Sequence, residues 1–233
     1  MSANNKRPLN ILVINYEYPP IGGGGGVICR DISEELVMMG NEVTVITSQY
    51  SGLKAEEVVN GVKLIRVPVL FRKKQNVASL FSMISYVPAC IRKATKLLST
   101  EKFDVMNTHF AIPSGPAGQY ISSKFNIPNV LSIHGGDIFD PSKSLSPHQT
   151  VGLKQTVRKM LNKATRVVAQ SSDTRNNAIN FYNVKRGIDI IPLGIKPNGY
   201  ASLPRKELNI PQDKFIFITI GRLIRRKNLE ELL

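Results

Sequence analysis

The sequence predicts an α/β fold with a mostly parallel sheet and helices on both of its faces. Strand-like runs rich in Val, Ile and Leu alternate with helical stretches along the chain. The runs are continuously apolar, which is typical of strands covered on both faces, as in parallel sheets. We place the strands in NILVINY, EVTVITS, VKLIRVPV, DVMNTHF, PNVLSIH, TRVVAQS, IDIIPLG and KFIFITIG.

The composition is that of a globular protein with a sizeable core, since 42% of the 233 residues are hydrophobic and 21% are charged. No apolar stretch approaches the ~20 residues of a membrane-spanning helix, and the N-terminus runs into a strand without a cleavage site. We therefore expect a cytoplasmic protein. Cys29 and Cys90 lie in apolar helical patterns without metal-ligand spacing, which indicates buried, reduced thiols.

The net charge of +14 favours an anionic partner such as a phosphate group or an anionic lipid. The basic residues are dispersed in short clusters, and the sequence carries no zinc-finger spacing and no RNA-binding aromatic motif. We therefore expect no nucleic-acid partner.

Five consecutive glycines, Gly22 to Gly26, separate the first strand from the first predicted helix. Without β-carbons, such a strand-to-helix turn lets backbone N–H groups approach a phosphate or a sugar hydroxyl. Val27 and Ile28 stand where a dinucleotide fingerprint needs glycine, and no G-K-[ST] follows. The turn therefore predicts ligand binding without either familiar nucleotide signature. The apolar spacing predicts a buried helical stripe of Ile28, Ile32, Leu36 and Met39.

Other unusual residues follow later strands: His109, the segment IHGGD with His134 and Asp137, the pair Ser171-Ser172, and two Gly-containing segments. The carboxyl ends of parallel strands meet at one edge of a sheet, where ligands bind. We therefore expect these loops to form one site. Ser171 and Ser172 are more typical of a helix N-cap than of a ligand contact.

The ordered segments YPPIGGGGG, FDVMNTH, IHGGD, VVAQSS, IIPLGI and GRLIRRKNLEELL resemble the GT-B glycosyltransferases of family 4. The resemblance implies a retaining enzyme that moves a sugar from a nucleotide sugar to an acceptor. It also implies two Rossmann-like domains: residues 1–197 on the acceptor side, a linker at 198–213, and residues 214–233 as the first strand and helix start of an incomplete nucleotide-sugar-binding domain.

The resemblance further implies the roles of individual residues. His134 approaches the transferring sugar and Asp137 completes its motif, so both are assigned to catalysis. Gly23, Gly24, Arg222 and Lys227 are assigned to the donor diphosphate, and Gly25 and His109 to the lining of the cleft on the acceptor side. Fixed cations stabilise the charge of a leaving diphosphate without a metal, and no D-x-D pair is present, so we expect neither metal nor cofactor.

Two departures from the family pattern lie near the predicted hinge, where Lys196 and Asn228 replace the usual Asp and Gly. The family's E-x(7)-E pattern is not found in the second-domain part. The pair Glu34 and Glu42 has this spacing but lies in the first domain. We therefore expect the 233-residue chain by itself to fold and to transfer nothing.

The segment from Phe71 to Leu98 combines cations, aromatic residues and a helical pattern. Its spacing predicts a core-facing stripe of Leu80, Ile84, Val87, Ile91, Ala94 and Leu98. Phe71, Phe81 and the cations Arg72 to Lys74 lie off this stripe and could touch an anionic membrane. We therefore add peripheral contact with the inner face of the cell membrane as an expectation.

Three functions remain open on the sequence. The first is a glycosyltransferase of polysaccharide, lipopolysaccharide or glycolipid assembly, with a glycan or lipid-linked acceptor. The second, expected if the chain truly ends at Leu233, is a non-catalytic module that binds a glycan, a lipid or a partner protein. The third is a dehydrogenase, which the missing third glycine and the missing ribose-binding acid disfavour.

Overall fold

The computed structural model describes residues 7–143, 145–194, 203–221 and 228–232. Contacts between residues divide the chain into two units, Met1–Pro192 and Leu193–Leu233. The first unit contains an eight-stranded sheet with the strand order β3-β4-β2-β1-β5-β6-β7-β8. Every pairing in this sheet is parallel except that of β3 with β4. The predicted α/β fold with a mostly parallel sheet is confirmed.

Strands and helices alternate through most of the first unit. The strands are β1 (Asn10–Ile14), β2 (Glu42–Ser48), β3 (Glu56–Val59), β4 (Val62–Val67), β5 (Val105–His109), β6 (Asn129–Ile133), β7 (Arg166–Ala169) and β8 (Asp189–Ile190). The helices are α1 (Gly24–Met38), α2 (Leu80–Leu98), α3 (Ser114–Phe125), α4 (Val151–Lys163) and α5 (Ser172–Tyr182).

The helices cover both faces of the sheet. On one face, α1 packs over β2 and β4, and the core there includes Ile11, Val13, Val43 and Leu64. On the opposite face, α2, α3, α4 and α5 pack side by side in chain order. Because β1, β5, β6, β7 and β8 run parallel, the loops that follow them lie at one edge of the sheet.

The predicted stripe of α1 is wrong by one position. The helix buries Gly26, Cys29 and Ser33, whereas Met39, which follows it, is 76% exposed. Small residues occupy the buried side because the helix begins close to the preceding loop, where a β-carbon on Gly26 would lie 3.0 Å from the carbonyl oxygen of Ile21. Ser33 is accommodated there because its hydroxyl donates to the carbonyl of Cys29.

The predicted stripe of α2 is wrong in its first two turns. Leu80 and Ile84 are 52% and 61% exposed, and the buried side consists of Ser82, Tyr86, Cys90, Ala94 and Leu97. Polar groups hold this orientation. The hydroxyl of Ser82 bonds with that of Tyr16, and the hydroxyl of Tyr86 donates to the carbonyl of Ile46. Apolar spacing alone cannot detect such partners.

Both cysteines are free and fully buried, as predicted, and burial raises the pKa of each thiol to about 12.

The second unit differs from its prediction in the residues that the structure describes. Residues 214–221, predicted as a strand, form none, and Phe215, Phe217 and Ile220 are exposed. A strand needs a neighbour for its backbone hydrogen bonds, and no described residue pairs with this segment. The predicted helix start appears as a 3₁₀ turn at Leu229–Leu232. The domain boundaries at 197 and 213 stay a prediction.

Candidate active site at the carboxyl edge of the sheet

The glycine turn, residues 22–26, leads from β1 into α1. Gly22 has a φ of +94°, which side-chain-bearing residues rarely adopt, and its N–H donates to the carbonyl of Gln75. The N–H of Gly23 donates to Oε2 of Glu17 at 3.1 Å. A carboxylate of the chain therefore already lies against the turn.

The five glycines meet different surroundings. A β-carbon on Gly25 would overlap the ring of Phe110, so a side chain at this position would require that ring to move. A β-carbon on Gly23 or Gly24 would meet nothing within 4 Å. The first helical turn of α1 is therefore open at Gly23 and Gly24, and its N–H groups carry the positive end of the helix dipole.

Two histidines meet beside this turn. His109 ends β5 and His134 follows β6, and the pairing of these strands brings Nδ1 of His109 within 3.0 Å of Nε2 of His134. The ring centroids lie 5.2 Å apart and the ring planes differ by 28°, as suits two imidazoles hydrogen-bonded edge to edge, and the ring of Phe110 lies 4.4 Å from that of His134. Nδ1 of His134 contacts the side-chain amide nitrogen Nε2 of Gln170, which follows β7.

Burial keeps both histidines neutral at pH 7. Burial, reinforced by the proximity of His134, lowers the pKa of His109 to about 3. Burial likewise lowers the pKa of His134 to about 4. Neither ring can then act as a cationic acid near neutral pH.

Asp137 holds the loop that carries His134. Its carboxylate accepts hydrogen bonds from the backbone N–H groups of Ala111 at 2.7 Å and His134 at 2.9 Å. Burial raises the pKa of Asp137 to about 6, although these hydrogen bonds oppose the rise. Its two oxygens therefore tie the loop after β5 to the loop after β6.

The structure brings together six of the eight residues predicted for the site. Gly23, Gly24, Gly25, His109, His134 and Asp137 lie at the carboxyl edge of β1, β5 and β6. Arg222 and Lys227 lie outside the described residues, so their assignment stays a prediction. Ser171 is the N-cap of α5 and accepts from the N–H of Thr174, as predicted.

Sequence reasoning missed three side chains of this site: Glu17, Phe110 and Gln170. Phe110 adjoins His109, but an aromatic residue after a strand is indistinguishable in sequence from a core residue. Glu17 and Gln170 carry no spacing signal, because they reach the site from loops that only the fold brings near it.

Two kinds of feature are absent from the part of the chain that the structure describes. Within it, no group of three or more His, Cys, Asp or Glu side chains is placed to hold a metal ion. Within the same residues, no helix combines the length and the apolar character needed to cross a membrane.

Comparison with known proteins gives relatives of one kind. The chain is 27% identical to the protein named as the teichuronic acid biosynthesis glycosyltransferase TuaC of Bacillus subtilis, over 96% of this chain and 61% of that protein. It is 25% identical to alpha-monoglucosyldiacylglycerol synthase of Acholeplasma laidlawii, over 96% of this chain and 58% of that protein. The chain thus spans about three fifths of the length of these curated relatives.

The fold matches that of a solved structure. Sucrose-phosphate synthase from Thermosynechococcus elongatus superimposes with a TM-score of 0.77 at 20% identity, over 96% of this chain and 58% of that chain. The model of the family Glycosyltransferase Family 4 matches residues 22–198, from the glycine turn to beyond β8. The chain therefore belongs to Glycosyltransferase Family 4.

Proposed function

We propose that this chain is the acceptor-side part of a retaining glycosyltransferase, which moves a sugar from a nucleoside-diphosphate sugar to a glycan or lipid-linked acceptor. In this proposal the enzyme takes part in the assembly of a cell-surface polysaccharide, lipopolysaccharide or glycolipid, in line with the names of the relatives. The observation that supports this most is the open glycine turn lying beside the His109–His134 pair at one edge of a parallel sheet.

The negative charge of Glu17 favours a sugar over a diphosphate as the group bound at the glycine turn. Glu17 already accepts the N–H of Gly23, and this carboxylate disfavours a second anion at the same place. A neutral sugar hydroxyl suits it, because a carboxylate accepts a hydrogen bond from a hydroxyl. This proposal departs from the sequence-based assignment of Gly23 and Gly24 to the diphosphate. In it the diphosphate is held chiefly by Arg222 and Lys227, and the two glycines line the place of the sugar.

The proposed chemistry needs charge stabilisation more than proton transfer. The nucleoside diphosphate gains negative charge as it leaves, and fixed cations in a site shielded from water stabilise that charge. The neutral ring of His134 adds an aromatic wall of low charge, whereas His109 is fully buried and does not line the cleft as predicted. We propose that the reaction uses no metal, so transfer should be equal with magnesium and with a chelator.

The test is transfer of a labelled sugar from several nucleotide sugars to lipid and glycan extracts. The protein encoded by the uninterrupted reading frame should transfer sugar from at least one donor. The 233-residue chain should transfer none, and robust turnover by it would overturn the proposed division of roles. A protein that binds glycans without transferring sugar from any donor would instead be the non-catalytic module.

We also propose that the protein is cytoplasmic and touches the inner face of the cell membrane. An exposed apolar cluster surrounds the start of α2. Its members are Leu70, Phe71, Val77, Leu80, Phe81 and Ile84, all more than half exposed. Lys73 and Lys74 are exposed in the same segment. Apolar side chains beside cations are suited to the surface of an anionic membrane.

Sedimentation with vesicles tests the membrane proposal. Vesicles with anionic lipid should retain the chain and neutral vesicles should not, with weaker retention at high salt. The double variant Phe81→Ser/Ile84→Ser should lose most of this retention. Met39→Ser is the matched control, because Met39 is 76% exposed but lies at the end of α1. Equal recovery with both kinds of vesicle would refute the proposal.

A further inference from the structure

A continuous hydrogen-bonded row links three loops at the carboxyl edge of the sheet. It runs from His109 at the end of β5, through His134 after β6, to Gln170 after β7. Both ring nitrogens of His134 take part, Nε2 with His109 and Nδ1 with Gln170. A neutral imidazole has one N–H and one acceptor nitrogen, so the row has only two possible directions.

The surroundings of His109 distinguish these directions. The residue is fully buried, and among the described residues its Nε2 has no hydrogen-bond partner. If Nε2 carried the proton, a buried N–H donor would be left unpaired, which native proteins rarely tolerate. A proton on Nδ1 avoids this, because Nδ1 faces Nε2 of His134 at 3.0 Å.

We propose that His109 is a positioning residue that fixes both the tautomer and the ring orientation of His134. Nδ1–H of His109 donates to Nε2 of His134, so the proton of His134 resides on Nδ1. That proton is donated in turn to the side-chain amide of Gln170 through its oxygen. The structure has the nitrogen of this amide against Nδ1, and the proposal therefore turns the amide by half a turn about its last bond, which exchanges its nitrogen and oxygen.

This arrangement limits what His134 does in the site. Both of its ring nitrogens are engaged within the chain, so the ring offers a ligand its face and edge, not a free N–H or lone pair. The ring of Phe110 lies against the ring of His134, with the two centroids 4.4 Å apart. The view of His134 as a wall against a sugar rests on the proposed function, whereas the tautomer assignment does not.

Nuclear magnetic resonance of the imidazole nitrogens tests the assignment directly in the 233-residue chain. The chain has only three histidines, His109, His134 and His148, so each set of signals can be assigned by substitution. At pH 7 the spectrum should show His109 and His134 protonated on Nδ1 and bare on Nε2. A proton on Nε2 of His134 would overturn the proposal.

Substitutions on both sides of His134 sharpen the test. His109→Asn places an amide N–H near the position of Nδ1 and should preserve the tautomer of His134. His109→Leu removes the donor and should yield a mixture of tautomers. Gln170→Glu supplies only acceptor oxygens, so the tautomer of His134 should be the same as in the wild-type chain if the row already runs as proposed. A move of the proton from Nε2 to Nδ1 of His134 on this substitution would show that the wild-type row runs the other way.

The third histidine is the internal control. Nδ1 of His148 bonds with the hydroxyl of Ser146, and its signals should not change in the His109 and Gln170 variants. If His109→Leu fails to fold, the wild-type spectrum and its comparison with Gln170→Glu still decide the direction of the row. No donor or acceptor substrate is present, so this outcome is independent of whether the protein transfers sugar.

Discussion

The glycine turn and the histidine loops lie at the same edge of the sheet but differ in the space that they leave for a ligand. In the histidine loops, the carboxylate of Asp137 and the ring nitrogens of His134 are all bonded to groups of the chain itself. In the glycine turn, Gly23 and Gly24 face open space. One region is complete without a ligand, and the other leaves room for one.

Residues that the sequence predicts together for one site therefore contribute to that site in different ways. The histidine loops form a preorganised wall, whose groups lose little freedom when a ligand binds. The glycine turn supplies the space and the helix N-terminus. Phe110 joins the two regions, because its ring contacts His134 and occupies the space that a β-carbon at position 25 would need.

The largest effect should come from removing the link between the histidine loops. Asp137→Asn retains the size but replaces one accepting oxygen with an N–H group that opposes a buried backbone donor. We expect a loss of about 3 kcal/mol in the free energy of unfolding at pH 7, measured with urea. The control is Asp173→Asn in the exposed first turn of α5, expected to change less than about 0.5 kcal/mol. Equal effects of the two substitutions would contradict the bridging role of Asp137.

The next largest effect on stability should distinguish two neighbouring glycines, Gly24 and Gly25. Gly25→Ala should lower the free energy of unfolding by about 2 kcal/mol, because its β-carbon overlaps Phe110. Gly24→Ala should leave stability unchanged or raise it by a few tenths of a kcal/mol, roughly as expected for alanine in place of glycine in a helix. If Gly24→Ala also weakens nucleotide-sugar binding in the longer protein, the loss reports contact with the ligand. Destabilisation of similar size by both would show that the turn is not open at Gly24.

The pH dependence of stability should be smaller but opposite in sign for the histidines and for Asp137. The folded pKa values of about 3 for His109 and about 4 for His134 lie below the unfolded value, so unfolding takes up protons between about pH 4 and 6.5. Stability from the histidines is therefore present above pH 6.5 and is lost on acidification. The folded pKa of Asp137, raised to about 6, makes the fold retain a proton in part of this window and offsets some of the loss.

Urea titrations at pH 7 and pH 5 measure this balance. The wild-type chain should be less stable at pH 5, and His109→Asn should reduce the difference by about 1–2 kcal/mol. His148→Asn serves as the comparison, because His148 bonds with Ser146 and takes no part in the hydrogen-bonded row. An unchanged difference in His109→Asn would mean that His109 titrates alike in the folded and unfolded chain.

The exposed start of α2 shows where sequence reasoning reached its limit. The cations and Phe81 are visible in the sequence, and they led to the membrane hypothesis. The helical spacing nevertheless assigned Leu80 and Ile84 to the core, whereas both are exposed. The side that a helix buries depends on its partners, and here the hydroxyl groups of Tyr86 and Ser82 find theirs on the sheet side.

The sequence by itself determined the fold class, the place of the glycine turn between a strand and a helix, and the grouping of His109, His134 and Asp137 at one edge. These follow from local patterns, because apolar runs and glycines act on the chain over a few residues. Only the tertiary structure decided which side each helix buries, which glycines are open, and that His134 is bonded on both sides by His109 and Gln170. Such contacts join residues 25 to 36 positions apart, and their energies depend on distances that no local pattern encodes.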